Sequence, residues 1–169
     1  MTETELLSRI QVNPTIFGGK PIIRGLRIAV EHILGRLAAG DTSQTILEEY
    51  PFLEPEDIQA CLLFAYRSLM KVDTGLMEHV RRHMTDPTLL KRITVRPEVF
   101  GGKPIIRDMR ISVELILSLL AQRVATKAIV EDYPDLEPDD IRACIAYAHA
   151  VIARDTLDAV SVRTREEHL

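Results

Sequence analysis

The segment Phe17–Ile28 reads FGGKPIIRGLRI, and Phe100–Ile111 reads FGGKPIIRDMRI, so two positions in twelve differ. Aligning Arg9 with Arg92 extends this match without a gap on either side, and roughly half of the paired positions are identical. Internal repetition of this quality indicates two copies of one structural unit. We call Phe17–Ile28 the first arm and Phe100–Ile111 the second arm.

The size of each copy predicts how the copies are arranged. A copy has about 65 residues, which is near the lower limit for a domain that folds alone. Packing the two copies together would enlarge the core, as in a dimer, so we expect an internal pseudo-dimer; further homo-dimerisation stays open. The predicted division is a first unit over 1–72, a linker over 73–87 that is helical, a second unit over 88–155 and a C-terminal tail over 156–169.

Composition excludes several classes of protein. With 46% hydrophobic residues the chain can bury a core, while scarce aromatic residues favour aliphatic helix packing over a β-sandwich. The longest apolar runs are far shorter than the ~20 residues of a membrane span. The start of the chain lacks the pattern of a signal peptide, which predicts a cytoplasmic protein. The net charge of -4 argues against nonspecific coating of nucleic acid, although a local basic patch is compatible with it.

Each unit is predicted to begin with a small β element. Alternating apolar and polar residues in Ile10–Val12 and Ile93–Val95 are typical of a half-buried strand. The Gly-Gly-Lys-Pro run of each arm supplies turn residues, and a second short strand is expected near Ile22-Ile23 or Arg27-Ile28. An isolated hairpin is marginal in water, so we expect the two hairpins to pair with each other.

The remainder of each unit is predicted to form three helices. Apolar positions at helical spacing run from Val30 to Ala39, and a short second helix covers Ser43 to Tyr50. Glu54 and Pro55 open the third helix, which continues to Leu69. A short second helix followed by a longer third helix is typical of a helix-turn-helix unit.

The sequence predicts neither an active site nor a metal site. No nucleophile motif, phosphate loop or zinc signature occurs. Cys61 and Cys144 lie at equivalent apolar positions and are interpreted as core residues. His79 and His83 could share a helix face, yet no third ligand is obvious beside them. We therefore predict no catalytic residues, no metal and no cofactor.

The arms concentrate positive charge. Three cations in each arm are the predicted DNA- or partner-binding residues: Lys20, Arg24, Arg27, Lys103, Arg107 and Arg110. Three interpretations remain open: the cations pair with acids of the chain itself, contact nucleic-acid phosphates, or enter the acidic active site of a partner enzyme. The first turn of the third helix carries Glu54, Glu56 and Asp57, which phosphates would repel, so a β-ribbon formed by both hairpins is the better candidate for reading DNA.

The motif shared by both units resembles a known family. The pattern Arg-Ile-x-Val-x-Pro-x-x-Phe-Gly-Gly-Lys-Pro-x-Ile-Arg-Gly-x-Arg-Ile, followed by helix and Glu-x-Tyr-Pro-x-Leu-x-x-x-Asp-Ile, is similar to the domain of unknown function 433 family (DUF 433). Asp108 replaces the family's glycine, a change that a left-handed turn tolerates. The resemblance implies homeodomain-like helix-turn-helix units with a short N-terminal β element, and an antitoxin of the VapB kind that binds a PIN-like ribonuclease toxin.

The sequence is compatible with two functions. The first is a non-enzymatic, antitoxin-like protein that binds a toxin nuclease, and operator DNA as a transcriptional regulator. The second is a protein-interaction or assembly module without nucleic-acid binding, in which the arm cations serve internal pairing. The expected fold is mainly α: two tandem three-helix units, each with a small β element, packed as a pseudo-dimer.

Overall fold

The computed structural model describes residues 1–70, 76–84 and 86–166, with side chains for 1–70, 77–84 and 86–153. Over these residues the chain is mainly helical and carries two small β elements. The first unit contains α1 (Glu3–Leu7), β1 (Ile10–Val12), β2 (Pro21–Ile23), α2 (Val30–Ala38), α3 (Ser43–Glu49) and α4 (Pro55–Leu69). After the connecting helix α5 (Leu76–His83), the second unit contains α6 (Pro87–Leu90), β3 (Ile93–Val95), β4 (Pro104–Ile106), α7 (Val113–Ala121), α8 (Thr126–Asp132) and α9 (Pro138–Glu166).

The predicted strands and their pairing within each unit are confirmed, but the predicted pairing of the two hairpins with each other is wrong. Strand β1 pairs antiparallel with β2, and β3 pairs antiparallel with β4, so the hairpins form two separate two-stranded sheets. Each hairpin is stabilised instead by helices, because the two consecutive isoleucines of its second strand are fully buried in the core: Ile22, Ile23, Ile105 and Ile106. The β-ribbon built from both hairpins therefore does not form.

Helix boundaries follow the local sequence closely. The apolar face of α2 is buried through Val30, Ile33, Leu34 and Leu37, as its spacing predicts. The Thr42 hydroxyl accepts a hydrogen bond from a backbone N–H in the first turn of α3, which fixes the start of that helix. The predicted third helix is α4, with Pro55 in its first turn.

The two units pack against each other reciprocally: one helix of each unit contacts the other unit more than its own. Helix α2 of the first unit contacts α9 of the second more extensively than it contacts its own α4. Equivalently, α7 of the second unit contacts α4 of the first more than its own α9. One hydrophobic core consequently runs through both units, with the central helices α4 and α9 in contact at its middle.

Two equivalent hydrogen bonds connect the units across this interface. Gln59 in α4 donates to the carbonyl of Ala121, the last residue of α7, at 2.8 Å. Arg142 occupies the same position in α9 and donates to the carbonyl of Ala38, the last residue of α2, at 2.9 Å. Each central helix thus satisfies an unpaired carbonyl at the end of a helix in the other unit.

The connection between the units is only partly described. Helix α5 lies within the segment predicted to be a helical linker, and Asp86 caps α6 through the backbone N–H of Thr88. Residues 73–75 and 85 of the predicted linker, and 167–169 of the predicted tail, lie outside the described residues. No helix among the described residues combines the length and apolar character needed to cross a bilayer.

Candidate binding surfaces on the two arms

Each arm begins with an aromatic residue held in an uncommon backbone conformation. Phe17 and Phe100 open a short 3-10 turn and both have φ of +48°. Left-handed geometry costs a non-glycine residue roughly 1–2 kcal/mol. Both residues are nevertheless 46% exposed. Because both units expose a phenylalanine in this strained conformation, the first residue of each arm is a candidate contact point.

A buried carboxylate anchors the first arm to the core. Asp57, in the first turn of α4, has a fully buried side chain. Arg24 of the arm binds both of its oxygens, with Nε–Oδ1 at 2.9 Å and Nη2–Oδ2 at 2.7 Å. Arg9 donates to Oδ1 at 2.9 Å, and the backbone N–H of Glu54 donates to Oδ2 at 2.8 Å.

This network sets the protonation of the carboxylate. Burial alone would raise the pKa of Asp57, but hydrogen bonds from Arg24, the Glu54 N–H and Arg9 outweigh it and lower the pKa. Because Asp57 stays ionised, Arg24 is held in place as a structural cation.

The second arm repeats the same anchor. Asp140 is fully buried, and Arg107 binds it with Nε–Oδ1 at 3.0 Å and Nη2–Oδ2 at 2.7 Å. Arg92 donates to Oδ1 at 3.1 Å and the Glu137 N–H to Oδ2 at 2.8 Å. The pKa of Asp140 is lowered for the same reason, against the opposing effect of burial.

The arm lysines are also paired within their own units. The Lys20 ammonium forms an ion pair with Glu31 on α2, and Lys103 forms the equivalent pair with Glu114 on α7 at 2.9 Å. Four of the six predicted binding cations are thus engaged by acids of the chain: Lys20, Arg24, Lys103 and Arg107.

Arg27 and Arg110 are the two arm cations left for a partner. They occupy equivalent positions at the ends of the arms, and both are exposed. Neither makes an ion pair or a side-chain hydrogen bond with any described residue. Their guanidinium groups can offer bidentate hydrogen bonds to a carboxylate or phosphate without breaking an internal contact.

The turn before each free arginine tolerates sequence change as predicted. Gly25 has φ of +70° and its counterpart Asp108 has φ of +63°. The carboxylate of Asp108 accepts a hydrogen bond from Arg96 at 2.7 Å, which holds the arm in the second unit. The second arm therefore keeps the same turn although it lacks the glycine.

The central helices are unavailable for lying in a nucleic-acid groove. Within α4 only Pro55 and Arg67 are exposed, and α9 has no exposed side chain from Asp139 to Ala153. Glu56, in the first turn of α4, also has an internal partner, because its carboxylate accepts a hydrogen bond from Arg123 of the other unit at 2.7 Å. Within these ranges the two helices therefore offer few exposed side chains for such a contact.

Comparison with known proteins agrees with this repeated architecture. The family model described as "Protein of unknown function (DUF433)" matches residues 10–65 and again 93–148. The chain belongs to the DUF433 family. "Uncharacterized protein y4eO" of Sinorhizobium fredii (strain NBRC 101917 / NGR234) is 36% identical over 53 residues, which is 31% of this chain and 24% of that relative. The chain therefore matches about a quarter of that relative's length, and no solved structure shows a significant match.

Other reactive side chains of this DUF433 protein are accounted for locally. Cys61 and Cys144 are fully buried, and burial raises the pKa of both thiols. The His79 and His83 rings stack with their centroids 3.9 Å apart. No group of three or more potential metal ligands occurs among the described residues.

Reasoning from the sequence missed the exposed phenylalanines and the anchors of the two DUF433 units. Phe17 and Asp57 are identical to their counterparts Phe100 and Asp140, and that identity was the available signal. Whether a residue repeated in both units is exposed or buried depends on tertiary packing, which the repeat alone does not reveal.

Proposed function

We propose that this protein is a cytoplasmic, non-enzymatic, antitoxin-like protein whose two arms bind a PIN-like ribonuclease toxin. The observation that supports the proposal most strongly is the pair of exposed arginines, Arg27 and Arg110, which have no acidic partner among the described residues. Each arm also displays a phenylalanine, and aromatic and arginine side chains are enriched in the energetic centres of protein interfaces. The acidic active site of a nuclease is the complementary surface for a free guanidinium group.

The pseudo-dimeric arrangement gives the two arms equivalent roles. Each arm is joined through its buried aspartate to a central helix, and the central helices belong to one core. We propose that a single chain therefore presents two copies of the same contact surface, as a homodimer of single-unit proteins would. Two toxin subunits are the expected stoichiometry.

Operator DNA is the second ligand of the proposal. The order of a short helix followed by a longer one supports a homeodomain-like helix-turn-helix relationship for each unit. We assign DNA contact to Arg27 and Arg110 rather than to a recognition helix, because few side chains are exposed in α4 and in the part of α9 from Asp139 to Ala153. With two free cations the salt dependence of DNA binding is expected to be shallow.

Replacing both free arginines tests the toxin contact. We expect Arg27→Ala/Arg110→Ala to weaken inhibition of a PIN-like ribonuclease that co-purifies with this protein by roughly 30-fold or more, the loss typical of interface hot spots. The measurement is a titration of nuclease activity with purified protein. The matched control is Lys91→Ala/Lys127→Ala, which removes two exposed cations outside the arms. Equal inhibition by both double variants would contradict the assignment.

An assembly module without nucleic-acid binding is the alternative. Internal pairing of Lys20, Arg24, Lys103 and Arg107 favours it, because most of the arm charge is consumed within the fold. The two functions differ in one readout. A salt-dependent mobility shift of DNA from the region upstream of the gene, lost on removing Arg27 and Arg110, supports regulation, and its absence supports the alternative.

A further inference from the structure

A cleft lies between the first arm, α2 and the α9 helix of the other unit. Its volume is about 750 Å³, within the range of small-molecule sites. The first arm contributes Phe17 and Arg27, α2 contributes His32 and Gly35, and α9 contributes His149. Both units are therefore needed to form it.

The pseudo-symmetry of the chain supplies an internal comparison. A second cleft, about 470 Å³, is lined entirely by counterparts of residues that line the first. In it, Leu115 replaces His32, Ser118 replaces Gly35 and Tyr66 replaces His149. The two clefts have thus diverged, and the first is larger and carries the imidazole groups. Packing of the units alone does not require these differences, since the second cleft packs without them.

The charges lining the first cleft leave one cation uncompensated. Lys20 is paired with Glu31, and Arg36 is paired with Asp41 and Glu49. Arg27 alone among the described lining residues carries a charge without an ion pair. The cleft is therefore suited to a ligand with a single negative charge.

One wall of the cleft is aromatic. The His32 and Tyr50 rings meet edge to face with their centroids 5.9 Å apart, and the two side chains share a hydrogen bond of 3.0 Å between Nε2 and Oη. The Arg36 guanidinium lies 5.9 Å from the centre of the Tyr50 ring. Together with Phe17, these groups line the cleft with rings that can pack against another ring.

His149 provides a partly buried polar group in the lining of the same cleft. It makes no hydrogen bond with the described residues, and its Nε2 lies 3.5 Å from the position that a Cβ would take at Gly35. Burial lowers the pKa of His149, against the opposing effect of Glu31, so the ring is neutral near pH 7 and can donate one N–H.

We propose that the first cleft binds a small aromatic carboxylate, with the anionic group held by Arg27 and His149 and the ring packed on Phe17, His32 and Tyr50. The second cleft does not bind it, because it lacks both imidazole groups and is smaller. This site shares Phe17 and Arg27 with the proposed toxin contact, but its test uses the protein alone and does not depend on a toxin.

Titration calorimetry with 2-naphthoate tests the site in the full chain, with 2-naphthamide as the neutral analogue. We expect saturable binding of one equivalent of 2-naphthoate, and at least tenfold weaker binding of 2-naphthamide. We expect Arg27→Ala and His149→Tyr each to weaken 2-naphthoate binding at least tenfold. The second variant places tyrosine at position 149, as the second cleft has tyrosine at the equivalent position 66. Arg110→Ala is the matched control and should leave the affinity unchanged, while amide chemical shifts should change at Gly35.

Three results would overturn the proposal. These are no saturable binding at millimolar 2-naphthoate, equal affinity for the amide, or an equal loss in Arg27→Ala and Arg110→Ala. Circular dichroism of every variant checks that the fold is retained, and Arg27→Ala alters an exposed side chain that makes no internal ion pair with a described residue.

Discussion

Asp57→Ala is expected to lower the free energy of unfolding by about 3 kcal/mol, and Asp140→Ala by a similar amount. Removing the carboxylate leaves Arg24 and Arg9 without their shared buried partner, and breaking a buried ion pair on one side typically costs about 3–5 kcal/mol. We expect the lower end because the side chains of Arg24 and Arg9 remain 33% and 17% exposed. The backbone N–H of Glu54 also loses its acceptor.

Urea denaturation monitored by circular dichroism measures this loss, and Glu54→Gln is the matched control. Glu54 shares Arg9 with Asp57 but is half exposed, so its replacement should cost less than about 1 kcal/mol. The folded pKa of Asp57 is lowered, so its stabilising effect is present above the unfolded pKa of about 4 and is lost as pH falls below it. Asp57→Ala should therefore also reduce the steepness of acid unfolding. Equal losses in the two variants would show that the buried anchor has no special role.

Separating the units is expected to abolish the monomeric fold altogether. In a chain of residues 1–72, the apolar face of α2 loses α9 and α4 loses α7, its main neighbour in the second unit. Each large aliphatic side chain returned to water costs roughly 1.5–3 kcal/mol, and several such residues are buried in each helix. Few small domains have enough stability to withstand that loss.

Sedimentation and thermal unfolding of the separate halves test this dependence. We expect residues 1–72 alone to be unfolded or self-associated, because only a second copy can replace the missing unit. Mixing with residues 73–169 should restore a one-to-one complex that unfolds cooperatively. A cooperatively folded monomer of residues 1–72 would contradict the reciprocal packing.

Local features of the fold were predictable from the sequence because local chemistry determines them. Alternation of residues in Ile10–Val12 predicted β1, and the spacing of Val30, Ile33 and Leu34 predicted the buried face of α2. The separation of the hairpins was not predictable in this way. The same short sequence can form a hairpin with an exposed edge or a hairpin covered by helices. Only the position of helices distant in the chain distinguishes the two arrangements.

The candidate site shows the same division. The sequence identified all six arm cations, but it could not separate Arg24, bound to Asp57 thirty-three positions away, from the exposed Arg27. The first cleft was also not predictable from the sequence, because His32 and His149 belong to different units and line one cleft only where α2 packs on α9. Residue pairing across long sequence separations decides which charges are free.

Photo-crosslinking in cells tests the central claim most directly, namely that the arms are the surface that contacts the partner. Benzoylphenylalanine is placed at position 17 or 100, where a phenylalanine is already exposed, and at Phe52, which is 53% exposed outside the arms. We predict a crosslinked nuclease from positions 17 and 100 and little from position 52. Crosslinking to that nuclease at position 52 with equal yield, or an absence of crosslinks from both arms, would contradict the account.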